Sequence, residues 1–100
     1  MDELTVLESY HTASSIRDMI LANAQQILRN STSTVDVITT MVHGIHGKYY
    51  KAFLIPTTPG SDPTYGTVGQ PSRVAALERL LEWTEMQLEQ KYANAQYGQV

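Results

Sequence analysis

The sequence predicts an α+β domain: a helix, a β-hairpin, a long Pro/Gly loop and a second helix, with both helices packed on a small antiparallel sheet. Three observations predict it. Apolar residues recur at helical spacing near both ends of the chain, from about Ala13 to Leu28 and again from Ser72 to Tyr92. Between them, Val35 to Val42 is crowded with β-branched residues, and Lys48 to Ile55 is an aromatic and aliphatic run that stops at Pro56. At 100 residues the chain holds one domain. We assign it to residues 1–92 and read 93–100 as a mobile C-terminal tail.

In the first helix, Ala13, Ile16, Ile20, Ala24 and Ile27 share one arc of the helical wheel, flanked by Leu21 and Leu28. Asp2 offers a cap for an early start carrying Leu4, Val6, Leu7 and Tyr10, and Ser14 or Ser15 offers a later one, so the sequence admits one helix or two. Arg29 to Thr34 is a loop, because its Asn, Ser and Thr side chains compete for the backbone.

Val35 to Val42 would also form a helical stripe, through Val37, Ile38, Met41, Val42 and Ile45, and an all-α chain is the structural alternative. The strand is preferred because β-branched side chains lose rotamer freedom in a helix, and because the following strand needs a partner for its backbone. A two-residue turn at His46-Gly47 joins the two. Val37, Thr39, Met41, Tyr50, Ala52 and Leu54 then share one face, and Ile38, Thr40, Val42, Tyr49, Phe53 and Ile55 the other. Both faces are apolar, and two helices, here expected to run antiparallel, cover one of them.

Pro56 to Pro71 is too broken by Pro and Gly for a regular element, although a brief edge strand at Tyr65 to Val68 is possible within it. Ser72 caps the last helix, whose expected buried face is Val74, Leu77, Leu81, Thr84, Leu88 and Tyr92, with Leu80 at its margin and fraying near Ala93.

Composition closes several classes of function. With no cysteine there is no disulfide framework, thiol nucleophile, iron–sulfur cluster or thiolate zinc site. A net charge of −3 gives no global field for nucleic acid or an anionic membrane. No apolar run reaches the roughly 18 residues of a membrane span, and Met1-Asp2-Glu3 is the reverse of a basic signal start, so a cytoplasmic location is expected.

Candidate chemistry is sparse. His43 and His46, three apart, with His11 elsewhere, match no metal-binding spacing, and no metal or other cofactor is expected. Glu78, Glu82, Glu85 and Glu89 form an acidic stripe on the last helix, read as a solvated face suited to a basic partner rather than to acid/base work. Lys48-Tyr49-Tyr50-Lys51 alternates cations and aromatics as a base-stacking platform would, but its tyrosines point to opposite faces. Gly66 to Gln70 before a helix lacks the lysine of a phosphate loop. No nucleophile elbow is present, and the chain is expected not to be an enzyme.

Trp83 and Met86 lie together on a flank of the last helix well away from its expected core stripe, and residues of both types are enriched at interface cores. The competing explanation is that Trp83 leans over the edge of its own sheet. With Leu80 and the hairpin residues Tyr49, Phe53 and Ile55, they make a candidate interface in a small assembly or adaptor protein whose partner is itself or another protein. The order of elements from about Ala13 to Tyr92 looks like that of the small head-to-tail joining proteins of tailed phages, where a helix–hairpin–helix domain is a building block of a ring. The likeness is one of element order and carries no sequence motif, and the long loop departs from it. Two alternatives belong to other classes. One is a ligand-binding or catalytic domain with loop 56–71 as a lid and His43, His46 and Tyr65 as contacts. The other is a single-stranded nucleic-acid binder acting through Lys48 to Lys51.

Overall fold

In a computed structural model the backbone is described for residues 3–28 and 34–97, and the side chains for 11–28 and 34–93. Helix α1 (Glu3–Ile27) leads into strands β1 (Val35–Gly44), β2 (Gly47–Pro56) and β3 (Tyr65–Gly66), and helix α2 (Arg73–Tyr97) ends the chain. The strands form one antiparallel sheet in the order β1-β2-β3. The α+β class and the helix–hairpin–helix order are those read from the sequence, with a third strand added. Val35 to Val42 is strand, and the all-α alternative falls.

The hairpin closes one step earlier than expected. Gly44 pairs with Gly47, so Ile45 and His46 form the turn, not His46-Gly47. Neither central residue has a positive φ, and Gly47 takes it instead at 122°. The pairing moves by two residues, an even shift, so each side chain keeps its expected face. Val37, Ala52 and Leu54 are accordingly buried toward the helices.

The core joins them to Ile16, Ile20 and Ala24 of α1 and to Ala76, Leu77 and Leu80 of α2. Ala52, Ala24 and Ala76 have no exposed surface, and their small side chains let helix and sheet backbones approach closely. The early start of α1 is the one adopted, as a single helix; the side chains of Leu4, Val6, Leu7 and Tyr10 lie outside the described residues.

The brief strand at Tyr65 is formed, and it reverses one further expectation. With a two-stranded hairpin between them, two helices on one face would run antiparallel. The pass of the chain through β3 adds a reversal, and α2 runs parallel to α1. Cross-helix contacts advance together along both helices. Asn23 Nδ2 donates to Thr84 Oγ1 at 3.1 Å, and further on Lys91 Nζ donates to the Gln26 and Ile27 carbonyls at 2.7 and 3.2 Å. Lys91 thus satisfies two carbonyls left open by the end of α1, where a cation also complements the helix dipole.

The buried stripe of α2 is rotated from the expected one by about 60° on the wheel, toward the side on which β3 lies. Leu80, expected at the margin, is at its centre with no exposed surface, and Tyr92, expected inside, is 52% exposed. Ser72 caps this helix as its sequence implies, its hydroxyl accepting from the Ala75 N–H at 3.1 Å. Helix α2 continues past Ala93 to Tyr97, so most of the expected tail has helical backbone; residues 98–100 lie outside the described ones.

Candidate functional site: a groove between the third strand and the last helix

Residues 64–70 are fastened along β2 by backbone and side-chain bonds. The Thr64 N–H donates to the Leu54 carbonyl at 2.8 Å, and Gln70 exchanges two 2.8 Å bonds with Tyr50. Between them, the Thr67 N–H donates to the Ala52 carbonyl at 3.0 Å, while Thr67 Oγ1 accepts from the Ala52 N–H, also at 3.0 Å. A buried threonine side chain here replaces the carbonyl that a regular ladder would supply.

Tyr65 pairs with Leu54, an inward-facing residue, and so is directed to the helix side. There its ring stacks on Trp83, centroids 4.2 Å apart and planes within 6°. Two amphipathic rings therefore tie β3 to α2. Beside the stack lies a groove of about 410 Å³ lined by Tyr65, Thr67, Val68, Arg79, Glu82, Trp83 and Met86. Val68 is 74% exposed and Met86 50%, each large and apolar on an open rim. Arg79 and Glu82 pair at 3.5 Å on the same flank, both well exposed, which offsets their charges and adds little stability. The groove offers apolar and aromatic surface with one self-neutralised ion pair and no nucleophile beside a base.

Trp83 and Met86 thus border one surface, and Trp83 also leans on its own sheet through Tyr65, as the competing explanation expects. Leu80 is not available to a partner: it is fully buried in the core of its own chain. Tyr49, Phe53 and Ile55 are half-buried on the outer face of the sheet. There the rings of Tyr49 and Phe53 lie across Gly69 and Gly66, where an added Cβ would come within 2.5 and 2.6 Å of ring carbons. Glycine in the edge segment lets the aromatic rings of β2 fold over it, in place of a side chain of its own.

Glu78, Glu82, Glu85 and Glu89 are all exposed. His11, His43 and His46 are exposed too, and among the described residues no three His, Cys, Asp or Glu side chains come together as a metal site would require. Tyr49 and Tyr50 occupy opposite faces; Lys51 Nζ lies 6.0 Å from the Tyr49 ring centroid, and the Arg73 guanidinium 5.1 Å from that of Tyr50. Each cation is placed over a ring of its own chain. A hollow does lie beside loop 56–71, but of the expected contacts it includes Tyr65 and not His43 or His46.

A second hollow, of about 290 Å³, opens between α1, β1 and the start of α2 and is lined in part by Arg17, Thr39 and Arg73. Arg17 is committed there to the edge of the sheet: it pairs with Asp36, and its Nε donates to the Val37 carbonyl at 3.4 Å.

Sequence reasoning missed Thr67, Val68 and Arg79. The threonine acts through a backbone contact that leaves no periodic trace, and the other two are placed by a short strand inside a Pro/Gly-rich segment. Among the described residues no helix is long and apolar enough to cross a membrane. No protein-family model matches the chain, and no curated protein or solved structure is significantly similar to it.

Proposed function

We propose that the protein is a small non-enzymatic assembly or adaptor module, acting as a homo-oligomer or as a subunit of a larger complex in the cytoplasm. The observation that carries this is the groove beside the Tyr65–Trp83 stack, with Met86 and Val68 exposed on its rim. Large aromatic and sulfur-containing side chains at a pre-formed concave surface, flanked by a neutralised ion pair, suit a protein partner that fills the groove with an apolar side chain. The groove lacks the converging polar and titratable groups with which an enzyme would act.

The solution mass of wild type, Met86→Lys and Trp83→Ala tests it, with circular dichroism checking that each remains folded. Met86→Lys is the sharper variant, because half of that side chain is exposed. A folded variant with a lower mass than wild type supports self-assembly through the groove. Equal masses in all three, with no complex formed, overturn it.

A second reading rests on the same hollow. A small apolar or aromatic ligand lying against Trp83 would quench or shift its fluorescence, and this is the chain's single tryptophan. A saturable change with such a compound on a monomeric protein would favour the ligand reading over assembly.

A further inference from the structure

The two long edges of the sheet are treated differently. On the β2 side, Tyr50, Ala52 and Leu54 direct their backbone groups away from β1 toward residues 64–70. Their partners across the hairpin are Met41, Thr39 and Val37. In an antiparallel ladder these are the non-hydrogen-bonded pairs, so Val37, Thr39, Met41 and, by alternation, His43 turn their N–H and C=O groups to the outer edge of β1. Val37 is already satisfied: its N–H donates to Asp36 Oδ1 at 2.8 Å, and its carbonyl accepts from Arg17. Among the described residues, nothing pairs with the outward backbone groups of Thr39, Met41 and His43.

That stretch also lacks the devices by which edge strands avoid pairing. Val37 to Gly44 has no Pro, Lys, Asp or Glu, and β1 runs in unbroken register with β2 for its whole length. Ile38 and Met41, on opposite faces of the strand, are each 40% exposed. In a chain of net charge −3, this strip carries no Lys, Arg, Asp or Glu, mixes apolar side chains with Thr39, Thr40 and His43, and is self-complementary.

We propose that β1 is a docking edge for the β1 strand of a second copy of this chain, paired antiparallel about a two-fold axis beside Met41. The free backbone groups fix the register. Met41 faces the partner's Met41, and Thr39 faces the partner's His43, so every open group finds its complement. Pairing stops at Val37, where Arg17 and Asp36 occupy the edge. On the outer face Thr40 meets the partner's Val42, with Ile38 diagonal to that same valine. A second copy is the occupant the strip favours, because its neutrality sets no like charges against each other and offers nothing to hold a charged foreign strand. This interface lies on the opposite side of the sheet from the groove and does not depend on it.

The test is sedimentation and amide hydrogen exchange on the full chain, for wild type, Thr39→Pro, Met41→Lys and Trp83→Ala. Proline at 39 removes an N–H that no strand of its own chain uses, and proline is tolerated at such edge positions. Lys at 41 would face its own copy across the axis. Wild type is expected at no less than twice the chain mass of 11.2 kDa, with Thr39, Met41 and His43 amides exchanging at least about 100-fold slower than an open edge would. Met41→Lys is expected to lose that protection and the two-fold mass, and Thr39→Pro to do the same at the amides it retains. Trp83→Ala is expected to keep the dimer, so failure of the groove and failure of the edge read out separately. Rapid exchange of the edge amides in wild type, protection in a protein that sediments as a single chain, or folded edge variants with unchanged mass would each overturn the proposal. So would protection that appears only when an extended peptide from another protein is added.

Discussion

Asn23 on α1 and Thr84 on α2 are joined by a hydrogen bond that crosses the helix–helix interface, and Thr84 passes it on by donating to the Leu81 carbonyl at 2.7 Å. Thr84 is wholly buried. A threonine at the centre of an apolar stripe is thereby accounted for: its hydroxyl is satisfied in both directions. Thr84→Val keeps the shape and removes both bonds, leaving the Asn23 amide short of an acceptor. We expect a loss of about 1–2 kcal/mol, read as a lower denaturation midpoint at unchanged slope. A double-mutant cycle with Asn23→Ala is expected to give a coupling of about 0.5–1.5 kcal/mol; additivity would show that the bond contributes nothing.

Thr67 is the second buried polar residue with a specific task. Thr67→Val strips the acceptor from the Ala52 N–H, which lies in the middle of the sheet. The expected cost is about 1–3 kcal/mol, since the donor is left unpaired rather than removed. Thr67→Ser keeps the acceptor and is expected to recover most of it. Equal stability of the Val and Ser variants would show that the hydroxyl is not needed there.

Gly69 and Gly66 are held by contact rather than by backbone angle. Gly69→Ala sets a methyl group against the Tyr49 ring, and overpacking of this kind costs about 1–3 kcal/mol. In a Tyr49→Ala background the same change is expected to be nearly neutral, because the clash has gone. Gly47→Ala behaves differently. No atom crowds a Cβ there, but φ is 122°, so its penalty is expected to persist whatever happens to its neighbours. Thermal unfolding of the four variants separates the two mechanisms.

Leu80 and Met86 divide stability from association. Leu80→Ala empties a fully buried site and is expected to lower stability by about 2–5 kcal/mol. Met86→Lys is expected to change the melting temperature little and the solution mass more. A folded Leu80→Ala protein that loses an assembly at unchanged stability would contradict its place in the core.

The two helices and the hairpin were legible because periodicity survives in long elements. The stripe of Ile16, Ile20 and Ala24, and the alternation through Val37, Ala52 and Leu54, are written in apolar residues alone. Even the misplaced turn did no harm to the faces, since a two-residue shift preserves parity. What sequence reading lost traces to one short strand. Tyr65–Gly66 is too brief to show a period, so the sequence offers it only as an option within a loop; an architecture without it inverts the direction of α2 and displaces its buried arc from Leu80. The groove was half visible: Trp83 and Met86 stood out as large residues off the expected stripe. Their companions Val68 and Arg79 did not, because only the fold brings residues 64–70 beside α2.

The short third strand also governs how far a sheet of this kind can spread. By covering the edge of β2 that faces away from β1 with two paired residues and the Gln70 bridge, it leaves ten-residue β1 as the one long strand edge of the sheet among the described residues. An edge that mates with its own copy is used up in both molecules at once. Growth through the long strand edge therefore terminates in a closed pair, whereas a fibril requires two such open sides on every unit.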